Sequence, residues 1–563
     1  MSTKKTGAEV LVDTLINHKV EYVFTVPGAK IDKILDELNN KKDAPRVIVS
    51  RHEQNAAFIA QGIGRITGEP GVVLVTSGPG VSNLATSLVT ASSESDPVLA
   101  IGGSVKRQDA NKKTHQSMDN VALLKPITRY SEEVLAANSI SEVISNAYKV
   151  AKSPRKGATF VSVPQDVQME TAEFEALKPV TYEKMGHADT RSVAKLVHDI
   201  RNAKLPVLLL GMRASLDRTV NAIRELLTVA KLPVVETFQG AGIIPKNLED
   251  TFFGRVGLFK NQPGDLLLDK ADLVITVGYD PIEYDPEIGN KNSNKKIYHI
   301  DNVYSDIDNH YRPHVELVGS ITRTIRKTTE LLQTEKFELS AENKDFLAEL
   351  KTKFENITKL FKYNPEITHP LQLMGALRQI IDDESFPEVD NDTIVTCDVG
   401  SIYIGMARNF KSYEPRKLLF SNGMQTLGVA LPGAIAGSLL NPGKKVISMS
   451  GDGGFLFTGS ELDTAVREGL NITHIIGNDN SYNMVDFQQV MKYGRPTATQ
   501  LGKIDFVKYA ESFGAKGFKV NSPDEIEKVL REALAYKGVA LVEVPIDYSQ
   551  NIILGNMLID GVE

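Results

Sequence analysis

"SGDGGFLFTGSE", residues 450–461, is the stretch on which the fold turns. A β-branched run, "KKVIS" at 444–448, leads into Gly451, Asp452, Gly453 and Gly454, and a helical pattern follows at once. Glycine lets backbone N–H groups approach a phosphate closely, and a helix start adds positive potential. Asp452 would repel that phosphate unless a cation lay between them. An aspartate in such a turn therefore points to Mg²⁺, a hard ion that prefers carboxylate, carbonyl, water and phosphate oxygens. The next strand-like run, inside "THIIGNDNSYNMV" (473–485), stops in Gly477, Asn478, Asp479 and Asn480. Taken alone, those four are ordinary turn formers. Asp479 stands 27 residues after Asp452, and it can share the same ion if the two strands are neighbours.

Outward from this motif, short β-branched runs alternate with helical patterns along the whole chain. The first series contains "YVFTVPG", "RVIVS", "GVVLVTSGPG", "PVLAIGG" and "ATFVSVP"; the second contains "LPVLLLG", "LPVVETF", "ADLVITVGYD" and "KKIYHID". The third contains "TIVTCDVG", "KLLFSNG", "KKVISMSGDGG", "ITHIIGND" and "VALVEVPID". Such alternation implies parallel sheets covered on both faces. The expected fold class is α/β, with three domains at 1–175, 188–335 and 365–563, each a parallel sheet flanked by helices. Charged stretches at 172–190 and 335–365 read as linkers, the second one helical. Ligands of open parallel sheets sit at the carboxyl ends of strands. Those ends carry "GAK" (28–30), "RHEQN" (51–55), "TSGPGVSN" (76–83), "GYDPIEYDP" (278–286), "DVGS" (398–401) and "SNGMQTLG" (421–428).

The bulk properties narrow the class of protein. The chain has 563 residues, 42% hydrophobic and 24% charged, without a low-complexity tract. A net charge of −7 disfavours a nucleic-acid or anionic-membrane partner, either of which would call for a basic patch. Cys397 is the single cysteine, which excludes an internal disulfide and suits a reducing compartment. The start "MSTKKTGAEV" lacks the apolar core of a signal peptide, and no apolar run reaches the length of a membrane span. A cytoplasmic protein is the expectation.

Gly451-Asp452-Gly453, then 24 residues, then Asn478-Asp479 resembles the thiamine-diphosphate signature, in which Gly-Asp-Gly is followed by about two dozen residues and Asn-Asn. The likeness extends over essentially the whole chain. "RHEQNAAFIAQGIGR", "LVTSGPGVSNL" and "HQSMDN" resemble the pyrimidine-binding domain of the acetohydroxyacid synthase group, and "SNGMQTLGVALP" resembles its diphosphate-binding domain. Within that group, "VPGAKID" and "GYDPIEYDP" are most similar to the catabolic acetolactate synthases, which work without FAD and feed acetoin and butanediol formation. The biosynthetic enzymes usually carry Arg-Phe-Asp-Asp-Arg at the second of these places. The resemblance thus implies thiamine diphosphate and Mg²⁺ as cofactors, and no flavin in the middle domain. The implied reaction joins two pyruvates into 2-acetolactate and CO₂ through a hydroxyethyl carbanion on the cofactor.

Carried over residue by residue, the resemblance makes Glu53 the glutamate that shares a proton with pyrimidine N1′ and so favours the imino form of the ring. Isolated, such a glutamate would be read as an exposed helix-start residue. Pro79 and Asn83 would pack against and bond the pyrimidine, and Gln116 would hold the substrate where decarboxylases of this fold place histidine. His115 is read as a mere neighbour of Gln116. The Gln425 carbonyl would accept from the 4′-amino group, and the Leu427 side chain would bend the cofactor into its V shape. Asp452, Asp479 and the Ser481 carbonyl would bind Mg²⁺; Gly400, Ser401, Gly453 and Gly454 would hold the diphosphate. Met484 and Val485 would line the cofactor space, with Gln488 in the substrate pocket. Lys30, otherwise a solvated turn lysine, would face the pyruvate carboxylate or the enolate-like intermediate.

Two departures stand out. Asp479 replaces the more usual asparagine, and relatives typically carry tryptophan where this chain has Gly289, Gly405, Gly433 and Gly477, with no Trp anywhere. Losing one large core aromatic costs about 3–5 kcal/mol unless neighbours refill the space. In this family the two cofactor-binding domains meet across a subunit interface, which implies a homodimer as the least active unit and a homotetramer as the assembly. Rival readings are a 2-keto acid decarboxylase, a biosynthetic synthase, and a non-catalytic thiamine-diphosphate-binding scaffold.

Overall fold

A computed structural model describes residues 4–181, 184–260, 262–292, 295–333 and 337–551; the final stretch of the third expected domain, 552–563, lies outside them. The described chain contains three six-stranded sheets in which every pairing is parallel, each flanked by helices. The first runs, edge to edge, Arg46–Val49, Tyr22–Val26, Gly71–Val75, Val98–Ser104, Ala158–Pro164, Tyr130–Glu133. The middle one runs Phe252–Val256, Val234–Thr237, Pro206–Leu210, Leu273–Val277, Lys296–Asp301, Val315–Val318. The third runs Leu418–Phe420, Val395–Cys397, Val446–Gly451, Ile472–Asn478, Ala540–Pro545, Lys516–Lys519. Numbered along the chain, the first and third sheets share the order 2-1-3-4-6-5, while the middle one is 3-2-1-4-5-6. Central strands such as Gly71–Val75 and Pro206–Leu210 are buried throughout, as strands covered on both faces must be.

The order reverses beside the first strand of each sheet, and that switch point is where a crevice opens. In the first sheet it lies between Tyr22–Val26 and Gly71–Val75, in the third between Val395–Cys397 and Val446–Gly451. The loops that leave these strands are those carrying Lys30, Pro79, Gly400 and Asp452. In the middle sheet the switch point is filled by the chain's own side chains. Arg213 forks onto Asp301 (2.7 and 2.9 Å) and Asp280 (2.8 Å), while buried Glu283 accepts from the Met212 N–H (2.8 Å) and Thr237 (2.7 Å).

The chain gathers into two compact units, described separately. One comprises residues 1–182 as far as described, with Leu431–Gly443 and Thr458–Leu470; the other comprises the remainder. The first unit opens with a capping box, in which the Glu9 N–H donates to Thr6 and the Thr6 N–H donates to Glu9 (2.6 Å). Within it, helix Glu53–Thr67 lies so close to residues 433–436 that a Cβ on Gly62 would stand 2.7 Å from the Ala436 Cβ. In the second unit the stretch 335–365 holds the helix Ala341–Glu355.

The tryptophan-free sites are occupied in different ways. A Cβ at Gly405 would strike the Met374 methyl at 2.4 Å, and one at Gly477 would meet Ile546 and the Tyr548 hydroxyl, both at 3.2 Å. Gly433 faces helix Glu53–Thr67, its Cα 3.3 Å from where a Gly62 Cβ would be. Gly289 differs, because it borders a small cavity of about 30 Å³ lined mainly by Leu, Val, Ile and Tyr side chains. Neighbours have refilled three of the four places, and the fourth keeps a void.

Candidate functional site

Glu53 opens helix Glu53–Thr67, whose preceding residue, His52, accepts from the Gln54 N–H at 3.1 Å. Its carboxylate is half-buried and accepts from Asn83 Nδ2 at 2.9 Å. It lies over the turn Pro79–Ser82, since a Cβ on Gly80 would stand 3.6 Å from Glu53 Oε1. Gly78, at φ +70°, lets that turn back against Gln116, and Ser77 donates to the Gln116 carbonyl at 2.7 Å. A side chain at position 78 would press on the Gln116 Cβ at 3.2 Å. Pro79 is exposed at the start of the turn and Asn83 half-buried at its end. Lys30 belongs to the neighbouring loop: its N–H donates to Thr76 (3.3 Å), and its Nζ reaches Gln165 Oε1 at 3.5 Å. Glu53, Pro79, Asn83, Gln116 and Lys30 thus gather at the carboxyl end of the first sheet.

In the second unit the two aspartates come together. Strands Val446–Gly451 and Ile472–Asn478 are parallel neighbours, with Gly451 opposite Gly477. Asp452 is buried and accepts from the Asn480 N–H; burial and then the charge of Asp479 push its carboxyl up to about 6. Burial raises the Asp479 carboxyl too, although it accepts from Ser481 Oγ and Asn483 Nδ2, each at 2.8 Å. A carboxylate raised by the charge of its neighbour marks a site in deficit of positive charge. Among the described residues no group of three or more His, Cys, Asp or Glu side chains could hold a metal, so further ligands would have to be carbonyl or ligand oxygens. That donor set suits a hard divalent cation, with the Ser481 carbonyl as the backbone candidate.

Helix starts surround this pair. Gly400, at φ +145° with open space around it, precedes helix Ser401–Asn409, and Ser401 donates to Asn483 Oδ1 at 2.8 Å. Asn551 donates to that same Asn483 oxygen at 2.8 Å. Gly453 and Gly454 leave room for protein as much as for ligand: a Cβ on one would strike the Tyr482 ring at 2.6 Å, on the other Asp398 at 3.1 Å. Asp398 is fully enclosed, and burial pushes its carboxyl up to about 7 although the N–H groups of Val399 and Gly428 donate to it at 2.9 Å. It fixes one end of the loop 421–428. At the other end, Asn422 donates to the Glu283 carbonyl (2.6 Å) and accepts from the Tyr403 hydroxyl. Between these anchors lie Gln425, at φ +50°, and half-buried Leu427. Met484 and Gln488 share one face of helix Asn483–Tyr493, both half-buried, and Val485 is exposed beside them.

Left-handed backbone at a non-glycine residue is uncommon and concentrates where structure over-determines it. Gln116 (φ +60°), Gln425 (+50°) and Asn480 (+58°) all show it, two being expected site residues and the third adjoining Asp479. Asp398, Asn422 and Asn483 carry no role in the sequence motifs. The spacing of Asn483, four residues after Asp479, was the available signal.

Residues 5–123 match the N-terminal TPP-binding domain of thiamine pyrophosphate (diphosphate) enzymes, 193–328 their central domain, and 398–544 their C-terminal TPP-binding domain. The chain is 49% identical over 554 residues to a Bacillus subtilis (strain 168) protein named acetolactate synthase, covering 98% of this chain and 95% of that one. It is 42% identical to the "acetolactate synthase, catabolic" of Raoultella terrigena, covering 98% and 97%. It is 31% identical to the acetolactate synthase isozyme 1 large subunit of Escherichia coli (strain K12), covering 98% and 96%.

Proposed function

We propose a reaction from a plain premise: the chain belongs to the acetolactate synthase family of thiamine pyrophosphate enzymes. The proposed reaction joins two pyruvates into 2-acetolactate with loss of CO₂, in the catabolic form directed to acetoin and butanediol. Bound thiamine pyrophosphate supplies the carbon nucleophile and the electron sink. Glu53 shares a proton with the pyrimidine, held for that task by Asn83 (2.9 Å). Asp452, Asp479 and the Ser481 carbonyl would hold Mg²⁺, which would supply positive charge for the diphosphate, and Gly400, Ser401, Gly453 and Gly454 would hold the diphosphate. The Gln425 carbonyl would accept from the pyrimidine amino group, and Leu427, Met484 and Val485 would shape the cofactor space. Lys30, Gln116 and Gln488 receive pyruvate; Gln116 offers no acidic proton that would release an aldehyde early.

The observation that carries the reading is the pairing of buried Asp452 with half-buried Asp479 just past the ends of adjacent strands, short of positive charge and beside helix starts. Operation without flavin is supported by the middle-sheet switch point, which Arg213, Asp280, Asp301 and Glu283 fill. A homodimer, assembling further to a homotetramer, is the proposed state; the exposed apolar side chains Met424, Leu456, Phe457 and Val485 support a partner chain that covers them. A cytoplasmic setting fits the single, buried cysteine, and no described helix is long and apolar enough to cross a membrane.

The test is incubation with pyruvate, Mg²⁺ and thiamine pyrophosphate, without flavin, followed by product analysis. Acetolactate is expected, and Glu53→Gln should lose about 10²–10⁴-fold in rate while unfolding like the unmodified protein. Acetaldehyde as the main product would replace this reading with a decarboxylase.

A further inference from the structure

We propose that Glu461 is a positioning residue for Glu53, an inference that rests on the reading of Glu53 as the proton-sharing group. Glu461 closes the motif stretch 450–461 and stands with Glu53 in the first compact unit. It is 0% exposed, and its carboxylate reaches both sides of Glu53. Oε1 accepts from the Arg51 N–H at 2.9 Å and from Asn55 Nδ2 at 2.9 Å, two residues before and two residues after. Oε2 accepts from Thr464 Oγ1 at 2.6 Å.

The same segment holds the strand that leads into this turn. Thr464 also donates to the Val49 carbonyl at 3.3 Å, and the Arg467 guanidinium donates to it as well. Position 49 is thus tied by residues 464 and 467, and positions 51 and 55 by residue 461. A brace meant only to hold the helix could act anywhere along Glu53–Thr67. This one acts on the Arg51 backbone just before Glu53 and on the Asn55 side chain just after it. A fully enclosed carboxylate gives those donors charge-assisted partners, about twice as strong as neutral ones. Misplacing a reacting group by about 1 Å can cost about 10²-fold, so this aim governs rate more than cofactor affinity.

Glu461→Gln keeps the shape but removes the charge and one acceptor. In full-length protein with thiamine pyrophosphate and Mg²⁺, hydrogen–deuterium exchange at the cofactor's C2 should slow by about tenfold or more. The cofactor dissociation constant should move by less than about threefold. Without cofactor, amide exchange over residues 50–56 should quicken in the variant, while the rest of helix Glu53–Thr67 stays protected. Asn55→Ala, which removes one donor and leaves Glu461 intact, is the second variant and should slow C2 exchange by a smaller factor. C2 exchange at the unmodified rate in folded Glu461→Gln and Asn55→Ala overturns the positioning role and leaves the reaction standing. No accelerated C2 exchange in the unmodified protein overturns the reaction, and the positioning role with it.

Discussion

Gln425→Gly separates backbone from side chain at the proposed cofactor contact. Gln425 holds φ +50° in a loop pinned by Asp398 at one end and Asn422 at the other. Left-handed backbone costs an L-residue about 1–2 kcal/mol. Glycine removes that strain but adds freedom to the unfolded chain worth about 0.5–1 kcal/mol. The net expectation is stability unchanged or raised by up to about 1.5 kcal/mol. Since the carbonyl is what the cofactor uses in this scheme, its affinity should stay within about threefold. Gln425→Val, a β-branched residue at the same φ, should lose about 1 kcal/mol or more. Urea unfolding gives the stabilities, and titration of thiamine pyrophosphate in saturating Mg²⁺ gives the affinities. A folded Gln425→Gly protein whose affinity falls tenfold or more would refute the reasoning, because the side chain would then be what matters.

Two further outcomes follow from the middle sheet. Gly289→Ala adds a methyl beside the cavity of about 30 Å³ at a residue outside the left-handed region, with Tyr284 at 3.1 Å yielding slightly. Better helix propensity and partial filling should raise stability by about 0.5–1 kcal/mol in urea unfolding, and a loss would mean the Tyr284 ring cannot move. Burial pushes the Glu283 carboxyl up to about 8, so the folded state keeps a proton that the unfolded chain releases near 4.5. Stability therefore falls as pH rises from about 4.5 to about 8, with a slope of at most ~1.4 kcal/mol per pH unit. Glu283→Gln should flatten that fall, and an unchanged profile from pH 5 to 8 would show that Glu283 does not titrate there.

The architecture was legible wherever strands were central. Runs such as "GVVLVTSGPG" and "LPVLLLG" are apolar because both faces are covered, and they became inner strands. Within the three six-stranded sheets, four strands left no readable run: Tyr130–Glu133, Phe252–Val256, Val315–Val318 and Lys516–Lys519. All four are edges, where one side needs no partner and charged residues or a bend at Gly254 (φ +96°) are tolerated. At the site, the motif residues were legible because their spacing is set by the strand–turn–helix path of the chain. Asp398 and Glu461 were not, because each binds donors far away in sequence, Gly428 for one and Arg51 and Asn55 for the other, and a single carboxylate carries no periodic signal.

The occupied tryptophan sites have an optical consequence. With Met374, Ile546 and Tyr548 standing where indoles would otherwise pack, the folded protein emits only as tyrosine does. Any tryptophan introduced would be the sole long-wavelength emitter in the chain. Gln488, half-buried on the helix face shared with Met484, is a natural place for it. Gln488→Trp would thus turn the helix that follows the paired aspartates into a background-free lamp, dimming or shifting as the space beside it fills.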